Sequence, residues 1–88
     1  MELEKFLKGK TNFIKSFERN SFLDGSKVKY YQFRIGNADY MLSQNKTYGS
    51  YVLTDYNPKD ETMSKYLLTT NNVLNVKSFI EERVKKVN

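Results

Sequence analysis

The sequence predicts one α+β domain over residues 1–88: an antiparallel sheet of three or four strands flanked by an N-terminal and a C-terminal helix. Apolar side chains alternate on either side of Gly36-Asn37, as they do in a β-hairpin. Near both termini they recur instead at three- and four-residue intervals, which is typical of a helix face. No linker or repeat divides the chain, and a chain of this length forms a single core.

A helix is predicted within residues 2–20. Its apolar residues follow the spacing of one helix face: Leu3, Phe6, Leu7, Phe13, Ile14 and Phe17. Gly9 disfavours a helix by about 1 kcal/mol relative to Ala, so two shorter helices that divide near Gly9 are an alternative. A strand over residues 13–18 is the competing prediction.

Residues 27–43 predict a β-hairpin, because Gly36 and Asn37 tolerate the positive φ that a two-residue turn requires. This turn places Arg34 opposite Asp39 and assigns every side chain to a face. The core face carries Tyr31, Phe33, Ile35, Tyr40 and Leu42. The other face, called the outer face from here on, carries Val28, Tyr30, Gln32, Arg34, Asp39, Met41 and Ser43. A slip of one residue would exchange the two sets, so the register is well specified.

The next strand continues this register. It adds Tyr51 and Leu53 to the core face, and it adds Tyr48, Val52 and Thr54 to the outer face. Residues 63–70 predict a fourth strand, with a short helix that begins at Pro58 as an alternative for the preceding segment.

The C-terminal helix is predicted to begin after Asn72, a favourable N-cap. Its apolar stripe consists of Val73, Val76, Phe79, Ile80, Val84 and Val87. We expect both helices to pack on the core face of the sheet.

Catalysis and cofactor binding are not expected. The chain has no His and no Cys, so it lacks the usual near-neutral acid–base group and thiolate metal ligands. The segment Gly9-Lys10-Thr11 resembles the end of a phosphate-binding loop, but Glu4 stands where that loop needs a glycine. A calcium loop that starts at Asp55 would place Lys59 at a ligand position. With no apolar signal or membrane-spanning run, we expect a cytoplasmic protein with no membrane partner.

The predicted function is partner binding. Tyr, Met and Arg are enriched in interface cores, and the candidate partner-binding residues are Lys27, Val28, Tyr30, Arg34, Met41, Tyr48 and Val52. A chain with net charge +5 is expected to dock on an acidic protein surface or on a nucleoprotein. The leading hypothesis is a non-enzymatic regulator or inhibitor that occludes a protein partner, of the kind that phages and mobile elements use, anti-CRISPR proteins included.

Two alternatives use the same face. A nucleic-acid-binding module with little sequence specificity is the first, since aromatic rings stack on bases and cations neutralise phosphates. Its candidate residues are Lys27, Lys29, Tyr30, Arg34 and Tyr48. In the second alternative, one of the protein's own helices or a second subunit in a homodimer covers the outer face.

Overall fold

The computed structural model describes residues 2–57, 59 and 65–87. Its elements follow in chain order: α1 Glu2–Lys10, β1 Asn12–Asn20, β2 Lys27–Ile35, β3 Ala38–Asn45, β4 Ser50–Asp55, β5 Tyr66–Thr70 and α2 Val73–Val87. The strands form one antiparallel sheet in the order β1-β2-β3-β4-β5. The α+β class is therefore confirmed. The described sheet has five strands, where three or four were predicted.

The extra strand is β1, which the sequence pattern assigned to a helix. The helix α1 stops at Lys10, where the backbone N–H and the hydroxyl of Thr11 both donate to the Leu7 carbonyl at 2.9 and 2.7 Å. The chain then pairs with β2 from Lys27 to Arg34. A helix through residues 12–20 was wrong, and so was a second short helix there. The competing strand over residues 13–18 lies inside β1.

A β-bulge explains why β1 resembles a helix in sequence. The register shifts between Phe13 and Lys15, so Ile14 is an extra residue with no partner on β2. Phe13 consequently packs against the core, whereas Phe17 pairs with Tyr30 on the outer face. A spacing of four residues between two phenylalanines fits one helix face as well as this interrupted strand.

The β2–β3 hairpin has the predicted register. Arg34 pairs with Asp39, Phe33 with Tyr40, and Tyr31 with Leu42. Gly36 takes a positive φ of 60°, whereas no non-glycine residue in the described ranges does, Asn37 included. Of the two turn positions, only Gly36 therefore adopts the positive φ that was predicted for both.

The remaining strands extend the same alternation. Leu53 pairs with Leu42 and is buried, and Tyr51 packs half-buried against the core. The strand predicted over residues 63–70 is present from Tyr66 onward. Residues 63 and 64 lie outside the described residues, as does the start of the alternative helix at Pro58.

Both helices pack on the core face, as predicted. The buried apolar side chains are Leu3, Leu7, Tyr31, Phe33, Ile35, Tyr40, Leu42, Leu53, Val76 and Ile80, and they form one cluster. The first two come from α1 and the last two from α2, so each helix contributes adjacent turns to a core that the sheet supplies. Asn72 caps α2 by accepting the Leu74 N–H at 3.0 Å. Neither helix is long and apolar enough to cross a membrane.

Candidate partner-binding face

A shallow groove of about 320 Å³ crosses the outer face of the sheet. The residues that line this groove are Lys15, Phe17, Arg19, Tyr30, Gln32, Met41, Thr54 and Tyr56. Four neighbouring strands contribute to it, together with the residue that follows β4. Because α1 and α2 pack on the opposite face, no helix of the described chain covers this groove.

Two stacked rings form one wall of the groove. Phe17 and Tyr30 are partners across β1 and β2, and their ring centroids lie 5.1 Å apart at an interplanar angle of 17°. Two cations flank the same wall, with Lys15 Nζ 5.5 Å and Arg19 Cζ 5.1 Å from the Phe17 ring centroid. Contacts of this kind are favourable between a cation and the negative face of a ring. The wall is therefore both aromatic and positively charged.

The groove carries no acidic side chain. Asp39 lies on the same face outside it, where Arg34 Nε approaches its carboxylate at 3.2 Å. Among the described ion pairs none involves Lys15 or Arg19. An approaching ligand thus meets two cations that form no ion pair with any carboxylate of the described residues, and this favours an acidic group on the ligand.

Hydrogen bonds fix the other wall of the groove. The Thr54 hydroxyl donates to the Met41 carbonyl at 3.2 Å, which ties β4 to β3 beside the backbone ladder. The Tyr56 N–H donates to the Asp39 carbonyl at 2.9 Å and holds the chain against the sheet just after β4 ends. The Met41 side chain is half-buried between these groups. These hydrogen bonds position Thr54, Met41 and Tyr56 along the second wall of the groove.

The structure places five of the seven predicted site residues on the outer face. Tyr30 and Met41 line the groove, Val28 and Val52 are half-buried beside it, and Arg34 is exposed at the hairpin end. The prediction that they share a face follows the observed register.

The other two residues lie elsewhere. Lys27 alternates with Val28 along β2 and therefore belongs to the side of the sheet that carries Tyr31. Tyr48 was assigned to a strand, but it lies in the turn between β3 and β4. Its hydroxyl hydrogen bonds with Asp24, and this raises the pKa of Tyr48 above its ordinary value of 10.0. The turn places it at one end of the sheet instead of on its outer face.

The sequence prediction missed the part of the groove that β1 supplies. Lys15, Phe17 and Arg19 alternate with Ser16 and Glu18, a period-two pattern that a strand interpretation of residues 13–18 would have placed on one face. The helix interpretation of the same segment concealed it.

The groove presents aromatic rings, two cations and an amide. Within the described ranges, no group of three or more His, Cys, Asp or Glu residues is placed to hold a metal ion. Buried side-chain nitrogen and oxygen atoms there all have hydrogen-bond partners. Recognition of a ligand would rest on the ring stack, the two cations and the Gln32 amide.

Comparison with known proteins adds no relative. No protein-family model matches the chain, and no curated protein or solved structure is significantly similar to it. The class that the fold and the groove define is a small α+β domain with an aromatic and basic sheet face that neither described helix covers.

Proposed function

We propose that this protein is a non-enzymatic regulator or inhibitor that binds a protein partner through its outer face and occludes the surface it covers. The observation that carries the proposal is the groove, in which a stacked Phe17–Tyr30 pair and Met41 lie on a sheet face that neither helix covers. Aromatic residues, Met and Arg are the types enriched in interface cores. Lys15 and Arg19 favour a partner with acidic side chains opposite them.

The stack also favours a protein over a nucleic acid. Single-stranded nucleic acids bind when bases stack on free ring faces. In the groove, Tyr30 stacks on Phe17, and two cations lie within 5.5 Å of the Phe17 centroid. The Phe17 ring is thus already engaged, while its edge and the neighbouring Met41 remain suited to apolar side chains. A nucleic-acid-binding module is the alternative that the experiment below distinguishes.

We place this function in the cytoplasm, because disulfides are rare in that reducing compartment and this chain has no cysteine to form one. Small single domains without cofactor chemistry are of the kind that phages and mobile elements use to occlude host enzymes. Anti-CRISPR-like inhibition of a nucleoprotein is the form of occlusion that the small basic domain and the uncovered groove support.

The test is retention of a partner from a lysate of the source organism on the immobilised full-length chain, with and without nuclease. The Phe17→Ala, Tyr30→Ala double variant should lose a protein that the wild type retains after nuclease treatment. Leu74→Ala is the matched control, because Leu74 is a 63% exposed apolar side chain on α2, away from the outer face. Retention should fall with salt less steeply than that of a nucleic-acid complex, because only the pairs made by Lys15 and Arg19 are screened.

Three outcomes would contradict the proposal. Equal retention by the double variant would exclude the groove. Loss of the partner on nuclease treatment, with affinity that falls by a log–log slope of about −0.7 to −0.9 per phosphate contacted, would identify nucleic acid as the ligand. Concentration-dependent sedimentation that the double variant abolishes would show that a second copy of the chain occupies the groove.

A further inference from the structure

Two large apolar side chains project fully into solvent at the loop that joins β1 to β2. Phe22 is 107% exposed and Leu23 is 96% exposed, each about as open as in an extended chain. Single exposed apolar residues are ordinary on protein surfaces, but adjacent ones at a protruding loop mark sites of interaction. Residues 21–26 are called the tip below.

The tip is held in one conformation by hydrogen bonds on both sides of the apolar pair. Ser21 N–H donates to the Ser26 carbonyl at 2.8 Å, and Gly25 N–H donates to the Ser21 carbonyl at 2.9 Å. Gly25 takes a φ of 70°, a left-handed conformation that suits glycine. Ser26 N–H donates to Asp24 Oδ1 at 2.9 Å, and the Asn45 amide anchors the Ser26 hydroxyl at 3.1 Å.

The neighbouring turn supports the tip from its side. The Lys27 N–H, next to the tip, donates to Thr47 Oγ1 at 3.2 Å, and the Lys46 N–H donates to the Lys27 carbonyl at 2.8 Å, so the β3–β4 turn lies beside the tip at this end of the sheet. The pKa of Asp24 lies below its usual value, chiefly because the backbone N–H of Ser26 stabilises the carboxylate. A loop fixed in this way presents Phe22 and Leu23 without a large entropic cost of ordering on binding.

We propose that Phe22 and Leu23 are an anchor that inserts into an apolar pocket on the same protein partner that covers the groove; the inference rests on the function proposed above. The tip and the groove lie close along the chain. Arg19 lines the groove and lies three residues before Phe22, so their Cα atoms are at most about 11 Å apart. A standard interface of roughly 800 Å² per partner has a radius of roughly 16 Å, which spans both.

The charges around the tip define the pocket. Arg19 lies just before the tip and Lys27 just after it, both exposed. Lys46, in the adjacent turn, is neutralised by Glu18 at 2.8 Å. Asp24 lies between them within the tip. A pocket with an apolar floor, and with an acidic rim that faces Arg19 and Lys27 but not Asp24, therefore complements the tip.

An anionic membrane fits the tip less well. The Asp24 carboxylate follows Leu23 directly and would be repelled by anionic headgroups. A fluid lipid surface also has no fixed shape that would complement a loop supported by hydrogen bonds on both sides. These observations favour a protein pocket.

The test compares Phe22→Ser, Leu23→Ser with the wild type in binding to the protein whose retention requires Phe17 and Tyr30. The tip variant should bind at least tenfold more weakly, chiefly through faster dissociation. Leu74→Ser is the control, because it removes an exposed apolar side chain of the same size from α2. In a second measurement, benzoylphenylalanine at position 22 should cross-link to that protein, whereas the same group at position 74 should not.

The outcomes separate the anchor from the groove. If the tip variant binds with wild-type affinity and position 22 yields no cross-link, the anchor is overturned while the groove stands. If no retained protein depends on Phe17 and Tyr30, the proposed function fails and the anchor fails with it. Sedimentation of the wild type with phosphatidylcholine–phosphatidylserine vesicles, lost in the tip variant, would overturn the protein pocket in favour of lipid.

Discussion

The rings of Phe17 and Tyr30 stack across β1 and β2, with centroids 5.1 Å apart and planes inclined by 17°. The contact joins the edge strand to its neighbour on the outer face, where no helix contributes packing. It therefore serves two roles: it stabilises the attachment of β1, and it shapes the groove.

The stack should be measurable as a coupling energy. We expect Phe17→Leu and Tyr30→Leu to be non-additive by about 0.5–1.5 kcal/mol in the free energy of unfolding, because an aromatic pair contributes this much beyond its buried area. Urea denaturation of the two single variants and the double variant measures it. Phe17→Leu combined with Tyr66→Leu is the control pair, since Tyr66 is 82% exposed on the opposite edge strand. Additivity of the stacked pair within about 0.5 kcal/mol would contradict the prediction.

The helix α2 should be anchored by Ile80. Its side chain is fully buried, so Ile80→Ala should lower the free energy of unfolding by about 2–5 kcal/mol through lost contacts and a residual cavity. Leu74→Ala on the same helix removes a side chain that is 63% exposed, and we expect a change within about 0.5 kcal/mol. Thermal and urea denaturation test the difference. Similar losses in both variants would mean that α2 does not pack with its Ile80 face on the sheet.

Two glycines at positive φ allow a matched comparison. Gly36 and Gly49 have φ values of 60° and 76°, so an alanine is strained at either position. At Gly36 a Cβ would also lie 3.2 Å from Val87 Cγ1, whereas at Gly49 it would meet nothing within 4 Å. We expect Gly36→Ala to be the more destabilising of the two in urea denaturation. In the Gly36→Ala background, Val87→Ala should remove the additional destabilisation relative to Gly49→Ala. If the additional destabilisation persists, the contact with Val87 is not its cause.

Alkaline stability should depend on Tyr31. Burial raises the pKa of Tyr31 to about 12, from an ordinary value of 10.0. The folded protein therefore holds the phenol proton more tightly than the unfolded chain does. This contribution is complete below pH 10 and is lost as the pH rises from 10 to about 12. Tyr31→Phe should flatten this part of the curve of unfolding free energy against pH, although it also removes the 3.1 Å hydrogen bond to Gln44. An unchanged alkaline slope would contradict the prediction.

Acid stability should depend on the contact between α1 and β1. The Ser16 hydroxyl donates to Glu4 Oε1 at 2.8 Å and is the main reason that the pKa of Glu4 lies below its usual 4.5. The folded protein thus binds this proton less tightly than the unfolded chain. The stabilisation is present above pH 4.5 and is lost as the pH falls through the lowered pKa. Ser16→Ala should reduce the acid loss of stability, whereas the exposed Ser78→Ala should not. Equal acid slopes in Ser16→Ala and the wild type would exclude this contact.

The outer face could be predicted in its centre but not at its edge. Tyr30 and Met41 were found because the hairpin turn and the alternation fix their side of the sheet. Phe17 was missed because an interrupted strand and a helix place phenylalanines at the same interval. Tyr48 was misplaced because the prediction put a loop near residues 44–47 and began the next strand at Tyr48, whereas the turn continues to Gly49 and β4 begins at Ser50.

The sequence alone determined the hairpin register, the capped C-terminal helix and the division of β2 and β3 into core and outer faces. Those features depend on local turn chemistry and on short periods, which are properties of neighbouring residues. Only the tertiary structure decided that residues 12–20 pair with β2, and that neither helix covers the outer face, an alternative that the sequence had left open. Pairing of a fifth strand and the choice of a face depend on contacts between distant segments, and the same local pattern is compatible with more than one of them.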